Sequence, residues 1–345
     1  MPSDTTAAPA RRVAAPATGR VGLILPTFPQ DGPDLPGATA LGDLCRRAEA
    51  GGAGALWVCD HIFWHGPALE ALSALGVAAT ATRHAAVGTC VLQLPLRHVP
   101  SVAKEVAALA HLSGGRMVLG VGVGTHPGEY AAAGVPFDNR GRRLDEGIDA
   151  LRRAWAGSPG ERYSQLPAPD PVPVWVGGSS EAALRRAARR GDGWIPLFLA
   201  PGEYAAALGR LDKEAERAGR DPTTVVRAAV VFVSVGSPDD GERGLSWMAS
   251  LYGLPARSFA RHLVAGDARA CATALARFSE AGAQHVAVFV TSDHPLVQFE
   301  DLAGEFAGLV ESTDVAPDPP HSSPPRLVDG ESNPVGIRVE DPVRR

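Results

Sequence analysis

The chain has 345 residues, of which 45% are hydrophobic and 21% charged, and its formal net charge is −5. These values are those of an ordinary globular protein and exclude a collagen-like repeat, a wholly disordered chain and a disulfide scaffold. The mild acidity offers no clustered basic face for nucleic acid, and no apolar run reaches the roughly 18 residues of a membrane-spanning helix. We therefore expect neither a nucleic-acid nor a membrane partner.

The four cysteines are far apart and form no C-x-x-C pair, which argues against a zinc ribbon or a redox dithiol and favours the reducing cytoplasm. Residues 1–19 are rich in Ala and Pro and lack the apolar segment of a secretory signal. Residues 314–345 are dense in Pro, Ser and charge. The sequence thus predicts two disordered tails around one domain, residues 20–313.

Short β-branched segments alternate along this domain with longer segments of helical period. The predicted strands are Val21–Leu25, Leu56–Cys59, Ala86–Leu92, Met117–Val121, Val172–Val176, Gly193–Leu197, Val225–Val233 and Val286–Thr291. The predicted helices are Leu41–Ala50, Ala68–Ala81, Ser101–Leu112, Arg140–Trp155, Glu181–Arg190, Pro201–Ala218, Ala268–Ala281 and Leu296–Val310.

Eight such pairs predict an α/β protein with a single (β/α)₈ TIM barrel, and a doubly wound open sheet is the alternative. Three longer connections interrupt the pattern, at Gly122–Asn139, Gly157–Pro171 and Ser234–Asp267. Because barrel active sites form at the carboxyl ends of the strands, the first and third connections are expected to overhang the site. The second is expected on the opposite face.

The densest group of reactive side chains follows the second strand, where Asp60-His61 is succeeded by Trp64-His65. One interpretation is a metal site, but two His and one Asp in a loop lack the fixed spacing of a helical metal motif. A second is structural, with Asp60 merely orienting His61. We favour a third, in which these residues contact a substrate or cofactor.

Two glycine-rich segments follow later strands. Gly120-Val121-Gly122-Val123-Gly124 does not match the dinucleotide fingerprint; its glycines allow either close approach of a flat ring or a crowded bend of the barrel. The segment from Gly177 to Ser180 precedes a helix, where backbone N–H groups form an anion site, so it is a candidate phosphate site or a simple turn.

Several motifs together resemble the bacterial luciferase-like flavin-dependent monooxygenase superfamily, and within it the actinobacterial oxidoreductases that use the deazaflavin coenzyme F-420. The motifs run in order from Val21 to Gly219 and are more specific together than any single glycine motif. They are Trp57–His61, Gly88–Leu92, Leu112–Gly122, Gly134–Phe137 with Arg140–Glu146, Pro173–Gly178 and Gly191–Trp194.

The resemblance implies a flavin-type ring across the strand ends, with its phosphate near Gly177, Gly178 and Ser179. It also implies a non-proline cis peptide at Cys90-Val91, on the third strand. The cofactor-binding residues that we predict are Asp60, His61, Thr89, Cys90, Val91, Gly122, Gly124, Gly177, Gly178, Ser179 and Trp194, and the catalytic candidates are His61, His65 and His126. No metal ligand is predicted.

The sequence also departs from relatives that oxidise alcohols or sugar phosphates with the deazaflavin. Those relatives place a Trp four residues after the strand-two His and a Glu directly after the strand-four glycines, where this chain has His65 and Thr125. The leading hypothesis is an oxidoreductase in which reduced F-420 delivers a hydride to a small, apolar or aromatic substrate. The alternatives are an FMN-dependent monooxygenase, a non-catalytic flavin-binding barrel and a metal-dependent hydrolase. The sequence leaves open whether the protein forms a homodimer.

Overall fold

The structure is a computed structural model, and it describes residues 20–29, 34–156, 171–292 and 294–313. Both predicted tails and residues 157–170 of the second predicted connection lie outside the described residues.

Nine strands form one sheet in which every pairing is parallel. They are β1 (Val21–Ile24), β2 (Ala55–Val58), β3 (Ala86–Thr89), β4 (Met117–Val121), β5 (Val174–Gly177), β6 (Gly193–Ile195), β7 (Val226–Val235), β8 (Leu263–Gly266) and β9 (His285–Val290). Eight of them, all except β8, close into a ring because β1 pairs with β9 and β6 pairs with β7. The predicted TIM barrel is thus confirmed over the open sheet.

Ten helices accompany the strands in the described part of the chain. They are α1 (Ala38–Ala50), α2 (Ala71–Ala81), α3 (Val99–Leu112), α4 (Pro127–Ala132), α5 (Arg140–Ala156), α6 (Glu181–Arg190), α7 (Pro201–Arg217), α8 (Pro238–Tyr252), α9 (Ala268–Glu280) and α10 (Pro295–Thr313). All eight predicted helices are present. Among the described residues, no helix is both long enough and apolar enough to cross a membrane.

The segment Ser234–Asp267, predicted as a long connection, instead contains α8 and β8. Strand β8 does not belong to the ring. It pairs with the last four residues of β7, on the edge that β6 occupies at Val226 and Arg227. The sequence predicted no helix or strand within this connection. Strand β7 continues two residues beyond its predicted end and offers this edge to a ninth strand.

Large side chains fill the barrel below its carboxyl end. The indoles of Trp57 and Trp175 are fully buried with ring centroids 5.2 Å apart, and Trp57 Nε1 donates to His285 Nε2 at 2.9 Å. Neighbouring strands accommodate these rings with glycine, since a Cβ on Gly88 would lie 2.5 Å from the Trp57 ring and one on Gly193 2.6 Å from Trp175. This packed layer closes the interior of the barrel below the mouth.

Candidate active site

The candidate site lies where the carboxyl ends of β2, β3 and β4 meet. Asp60 and His61 follow β2, Gln93 follows β3, and Glu129 lies on α4 in the connection after β4. We call these four residues, together with Arg97, the His61 network. Its formation confirms that the Gly122–Asn139 connection overhangs this end of the barrel.

Glu129 and Gln93 both meet the Nδ1 side of His61. Gln93 Nε2 donates to the backbone oxygen of Asp60 and to Glu129 Oε2, both at 2.9 Å, and it lies 3.1 Å from His61 Nδ1. An ionised carboxylate can only accept a hydrogen bond. His61 Nδ1 lies 3.0 Å from Glu129 Oε2, so the proton in this bond belongs to His61. The other ring nitrogen, Nε2, has no hydrogen-bond partner among the described residues and is free for a ligand.

The carboxylate of Glu129 is almost completely enclosed, with its side chain 1% exposed. Its second oxygen, Oε1, accepts from the backbone N–H of Ile62 at 2.7 Å and of Phe63 at 3.2 Å. Burial is the largest influence and would raise the pKa, but hydrogen bonds from His61 and Gln93 outweigh it and hold the pKa of Glu129 below its ordinary value. Glu129 is therefore a fixed negative charge behind His61.

Asp60 secures the base of the same network. It is 3% exposed and accepts from the Gln93 backbone N–H at 2.8 Å and from Arg97, whose Nε lies 3.2 Å away. Arg97 also pairs with Glu70 at 2.9 Å. With both carboxylate oxygens occupied, Asp60 can act on a ligand only by holding His61 in position.

The three predicted catalytic histidines come together around one indole. His61 packs against Trp64 with ring centroids 3.7 Å apart and the planes tilted by 32°, and the rings of His65 and His126 lie 4.3 Å and 4.6 Å from Trp64. Phe28 completes this aromatic cluster, 5.6 Å from His61. The cluster gives a polar reactive nitrogen an apolar, stacking environment.

His126 differs electrostatically from an exposed histidine. Burial lowers its pKa, and the neighbouring His61 and His65 lower it further, against the opposing effect of Glu129. His126 is therefore mainly neutral at pH 7 and is better suited to accept a proton than to donate one. His65 is exposed at the outer side of Trp64.

The peptide bond between Cys90 and Val91 is cis, as the resemblance implied. The Val91 side chain lies against two predicted cofactor-binding glycines: a Cβ on Gly122 would lie 2.5 Å from Val91 Cγ2, and one on Gly177 2.7 Å from Cγ1. Of the two interpretations of the glycine segment, this contact favours a crowded bend. The Cys90 thiol is protonated at neutral pH because burial raises its pKa well above the ordinary value.

Two other predicted residues are also committed to internal contacts. The hydroxyl of Thr89 is fully buried and donates to the backbone oxygen of Gly120 at 2.6 Å. Gly124 has φ +68°, and the amide oxygen of Gln93 occupies the place of its missing Cβ. These residues shape the floor of the mouth around the His61 network.

The segment after β5 presents an open row of backbone donors. Gly178 has φ +100°, Ser180 caps α6 by accepting from the Ala183 N–H at 3.2 Å, and residues 178–182 are exposed. The N–H groups of residues 179–182 have no acceptor among the described residues, which fits an anion. We call residues 178–182 the N–H cradle.

Trp194, predicted to bind the cofactor, is fully buried and lies behind this cradle. Its Nε1 donates to the Gly178 backbone oxygen at 3.0 Å, and its ring stacks on Tyr204 with centroids 5.6 Å apart. Trp194 can therefore influence a bound anion only through the conformation of Gly178.

Aromatic side chains cover the opposite side of the mouth. From α8, Trp247 packs on Phe289 with ring centroids 5.3 Å apart, and Tyr252 lies 5.4 Å from Phe198. Phe198 in turn stacks on Phe232 at 5.5 Å. The Ser234–Asp267 segment thus overhangs the site as predicted, and it provides an apolar wall opposite the histidines.

Sequence reasoning missed Glu129, Gln93 and Arg97. The sequence held a signal for the first of these, since Glu129 is the only acidic residue in Gly122–Phe137, a connection already expected above the site. Gln93 and Arg97 carried no comparable signal. Among the described residues, no group of three or more His, Cys, Asp or Glu side chains is placed to hold a metal ion.

Comparison with known proteins agrees with this geometry. The luciferase-like monooxygenase family matches residues 20–252. An uncharacterized protein of Mycobacterium tuberculosis is 42% identical over 140 residues, 38% of this chain and 48% of that protein. A phthiodiolone/phenolphthiodiolone dimycocerosates ketoreductase of Mycobacterium kansasii is 31% identical over 196 residues, 51% of this chain and 53% of that protein. The chain spans about half the length of these curated relatives.

Solved structures share the fold at low identity. An F-420-dependent secondary alcohol dehydrogenase has a TM-score of 0.71 at 21% identity, covering 84% of this chain and 99% of that chain. A long-chain alkane monooxygenase has a TM-score of 0.69 at 15% identity, covering 85% and 92%. At this level of identity, the likeness concerns the fold of the barrel. The chain belongs to the luciferase-like monooxygenase family.

Proposed function

We propose that this protein is an F-420-dependent oxidoreductase that reduces a small, apolar or aromatic organic substrate. The bound coenzyme would supply the hydride. The protein would bind its phosphate, orient the substrate and deliver the proton that the reduced oxygen atom requires. A relative named as a ketoreductase and a structural neighbour named as F-420-dependent support this reaction class.

The N–H cradle is the observation that carries the cofactor assignment. Three of the four arginines of α6 are already paired with carboxylates, including Arg186 with Asp145 at 2.6 Å and Arg190 with Asp149 at 3.1 Å. The one charged side chain of the cradle, Glu181, is paired with Arg210 at 3.0 Å. Such a cradle of backbone N–H groups suits the single negative charge of the internal phosphodiester of F-420 better than the near-dianionic terminal phosphate of FMN.

The proton would come from His61 Nε2. Because Nδ1 donates to Glu129, Nε2 is the ring nitrogen that would carry the transferred proton. Nε2 would then donate to the substrate oxygen and leave a neutral ring of fixed tautomer. Trp64 holds the plane of this ring, and the aromatic wall of Phe198 and Tyr252 would hold the apolar part of the substrate.

An FMN-dependent monooxygenase is the second candidate, and the aromatic wall is the observation in its favour. Oxygen chemistry on a flavin needs a site from which water is excluded, and α8 places Trp247 and Tyr252 over the mouth. The long-chain alkane monooxygenase among the structural neighbours belongs to the same fold.

Equilibrium titration of the purified protein with F-420 and with FMN, at the same pH and salt concentration, tests the assignment. We expect the smaller dissociation constant for F-420. A clear preference for FMN would overturn the cofactor assignment and make oxygen-dependent monooxygenation the leading function. Binding of neither would overturn both candidates.

A further inference from the structure

A cavity of about 70 Å³ lies in the barrel wall between the end of β6 and the start of β8. The pairing of β7 explains its position. On this edge, Val230 bridges to Leu197 beyond β6, whereas Phe232 is already paired with Leu263 of β8. Val231, between them, faces the gap where one partner strand has ended and the next begins. We call this space the wall cavity.

The chain after β6 keeps the gap open. Phe198 has φ +61°, the only positive φ of a non-glycine residue among the described residues. This left-handed conformation turns the chain away from β7 toward α7, which vacates the edge that β8 then occupies. A bulky aromatic residue in this conformation is uncommon, and here its ring is held by stacking on Phe232.

The cavity crosses the wall of the barrel. Phe198, Val230 and Phe232 line it from the cluster of side chains inside the barrel mouth. Val231, Val264 and Phe278 line it from the separate cluster between the barrel and the helices. A molecule held here would touch the aromatic wall of the candidate site from behind and extend outward between α7 and β8.

The chemistry of the lining selects an apolar occupant. Of the side chains that line the cavity, only Arg261 and His262 carry polar atoms, and Arg261 is already paired with Glu203 at 3.1 Å and donates to His262 at 3.1 Å. The volume is several times the roughly 10–15 Å³ that one water needs, and the other nine lining side chains offer water no hydrogen bonds.

We infer that the wall cavity is a subsite for a short unbranched alkyl chain of the substrate, whose reacting end lies at the barrel mouth beside His61. This inference rests on the proposed function and names the substrate class for the same site. Swinging of Phe198 against Phe232 would connect the mouth with the cavity, so chain length, rather than ring size, would determine which substrates bind best.

The test measures binding without turnover, by calorimetric titration of the full-length chain with 2-ketones from 2-butanone to 2-nonanone. Two variants fill the cavity from different sides, Val264→Phe from β8 and Ala200→Leu from the start of α7. Val297→Phe is the matched control, because Val297 is 52% exposed on α10. Far-ultraviolet circular dichroism establishes that each variant is folded.

We expect the affinity of the unmodified chain to rise by up to about fourfold with each added methylene until the cavity is full. In Val264→Phe and Ala200→Leu, the affinity should stop rising at a shorter chain length, and 2-nonanone should bind at least tenfold more weakly than to the unmodified chain. Val297→Phe should bind the ketones as the unmodified chain does. Unchanged binding of 2-nonanone by either folded filled variant, or no dependence on chain length in the unmodified chain, would overturn the subsite. Because the titration contains no coenzyme, its result does not depend on whether the protein uses F-420.

Discussion

His61 Nδ1 and Glu129 Oε2 lie 3.0 Å apart although 68 residues separate them along the chain. This bond joins the connection after β2 to the helix after β4, together with the two that Ile62 and Phe63 donate to Glu129 Oε1. It fixes the tautomer of the histidine, because the carboxylate can only accept and the proton in this bond therefore lies on Nδ1. The reactive face of His61 thus depends on a carboxylate that is itself hidden from the substrate.

Glu129→Gln should lower kcat with F-420 by about tenfold to a hundredfold, because an amide can donate as well as accept and no longer dictates the tautomer of His61. Glu129 does not touch the cradle, so the dissociation constant for the coenzyme should change less than twofold. Stopped-flow oxidation of reduced F-420 measures the rate. Glu105→Gln, on the exposed face of α3, is the control; equal rates in the two variants would contradict the role of Glu129.

The stability contributed by Glu129 should depend on pH in a defined direction. Its pKa is lower in the folded chain than the ordinary value of 4.5, so the unfolded chain binds the proton more tightly. The contribution is therefore complete above about pH 4.5 and is lost as the pH falls through the folded pKa. Thermal unfolding should show a melting-temperature difference between the unmodified chain and Glu129→Gln at pH 7 that narrows below pH 4.5. A difference that widens on acidification would refute this linkage.

Gly122→Ala should destabilise the barrel by about 1–3 kcal/mol, since its Cβ would lie 2.5 Å from Val91 Cγ2. Val91→Ala removes that atom, so the double variant should recover part of the loss. A double-mutant cycle of urea unfolding measures this coupling. Additive losses would mean that the glycine is needed for a reason other than room for Val91.

Ser179→Asp should weaken F-420 binding at least tenfold, or about 1.4 kcal/mol. The reason is that the new carboxylate would repel the phosphodiester of the coenzyme in the N–H cradle. Ser179 is exposed, so the fold should tolerate the change, whereas a side chain at Gly178 would be strained by its φ of +100°. Ser246→Asp, exposed on α8, adds the same charge elsewhere. Equal affinity in both aspartate variants would place the phosphate outside the cradle.

The barrel was predictable because mostly buried β-branched strands alternate with helices along the chain. Helix α8, between β7 and β8, was not predictable, because it contains Gly241 and Gly244, which lower helix propensity. Both glycines are required by packing: a Cβ on Gly244 would lie 2.4 Å from Thr291 Oγ1, and one on Gly241 3.1 Å from Ala265 Cβ. Tertiary contact therefore overrides the local signal in this segment.

Some residues of the candidate site were likewise predictable from the sequence, and others were not. Asp60 and His61 were found because they directly follow a strand at the end of the barrel where sites form. Glu129 was missed because its partner is distant in sequence and the pairing depends on how two connections fold over one another. Trp194 was assigned to the cofactor through a motif, yet its contact with Gly178 could be seen only in three dimensions.

Trp194→Phe should weaken coenzyme binding about fivefold or more while costing about 1 kcal/mol of stability. The aromatic ring is kept, so the loss is that of one buried hydrogen bond, from Nε1 to the Gly178 oxygen at 3.0 Å. Trp155→Phe is a close control, because Trp155 Nε1 donates to the Ala103 oxygen at the same 3.0 Å, between α5 and α3. Both variants should have similarly lowered melting temperatures. Fluorescence titration with F-420 should show weaker binding by Trp194→Phe than by Trp155→Phe. If the two bind the coenzyme equally well, Trp194 does not position the cradle.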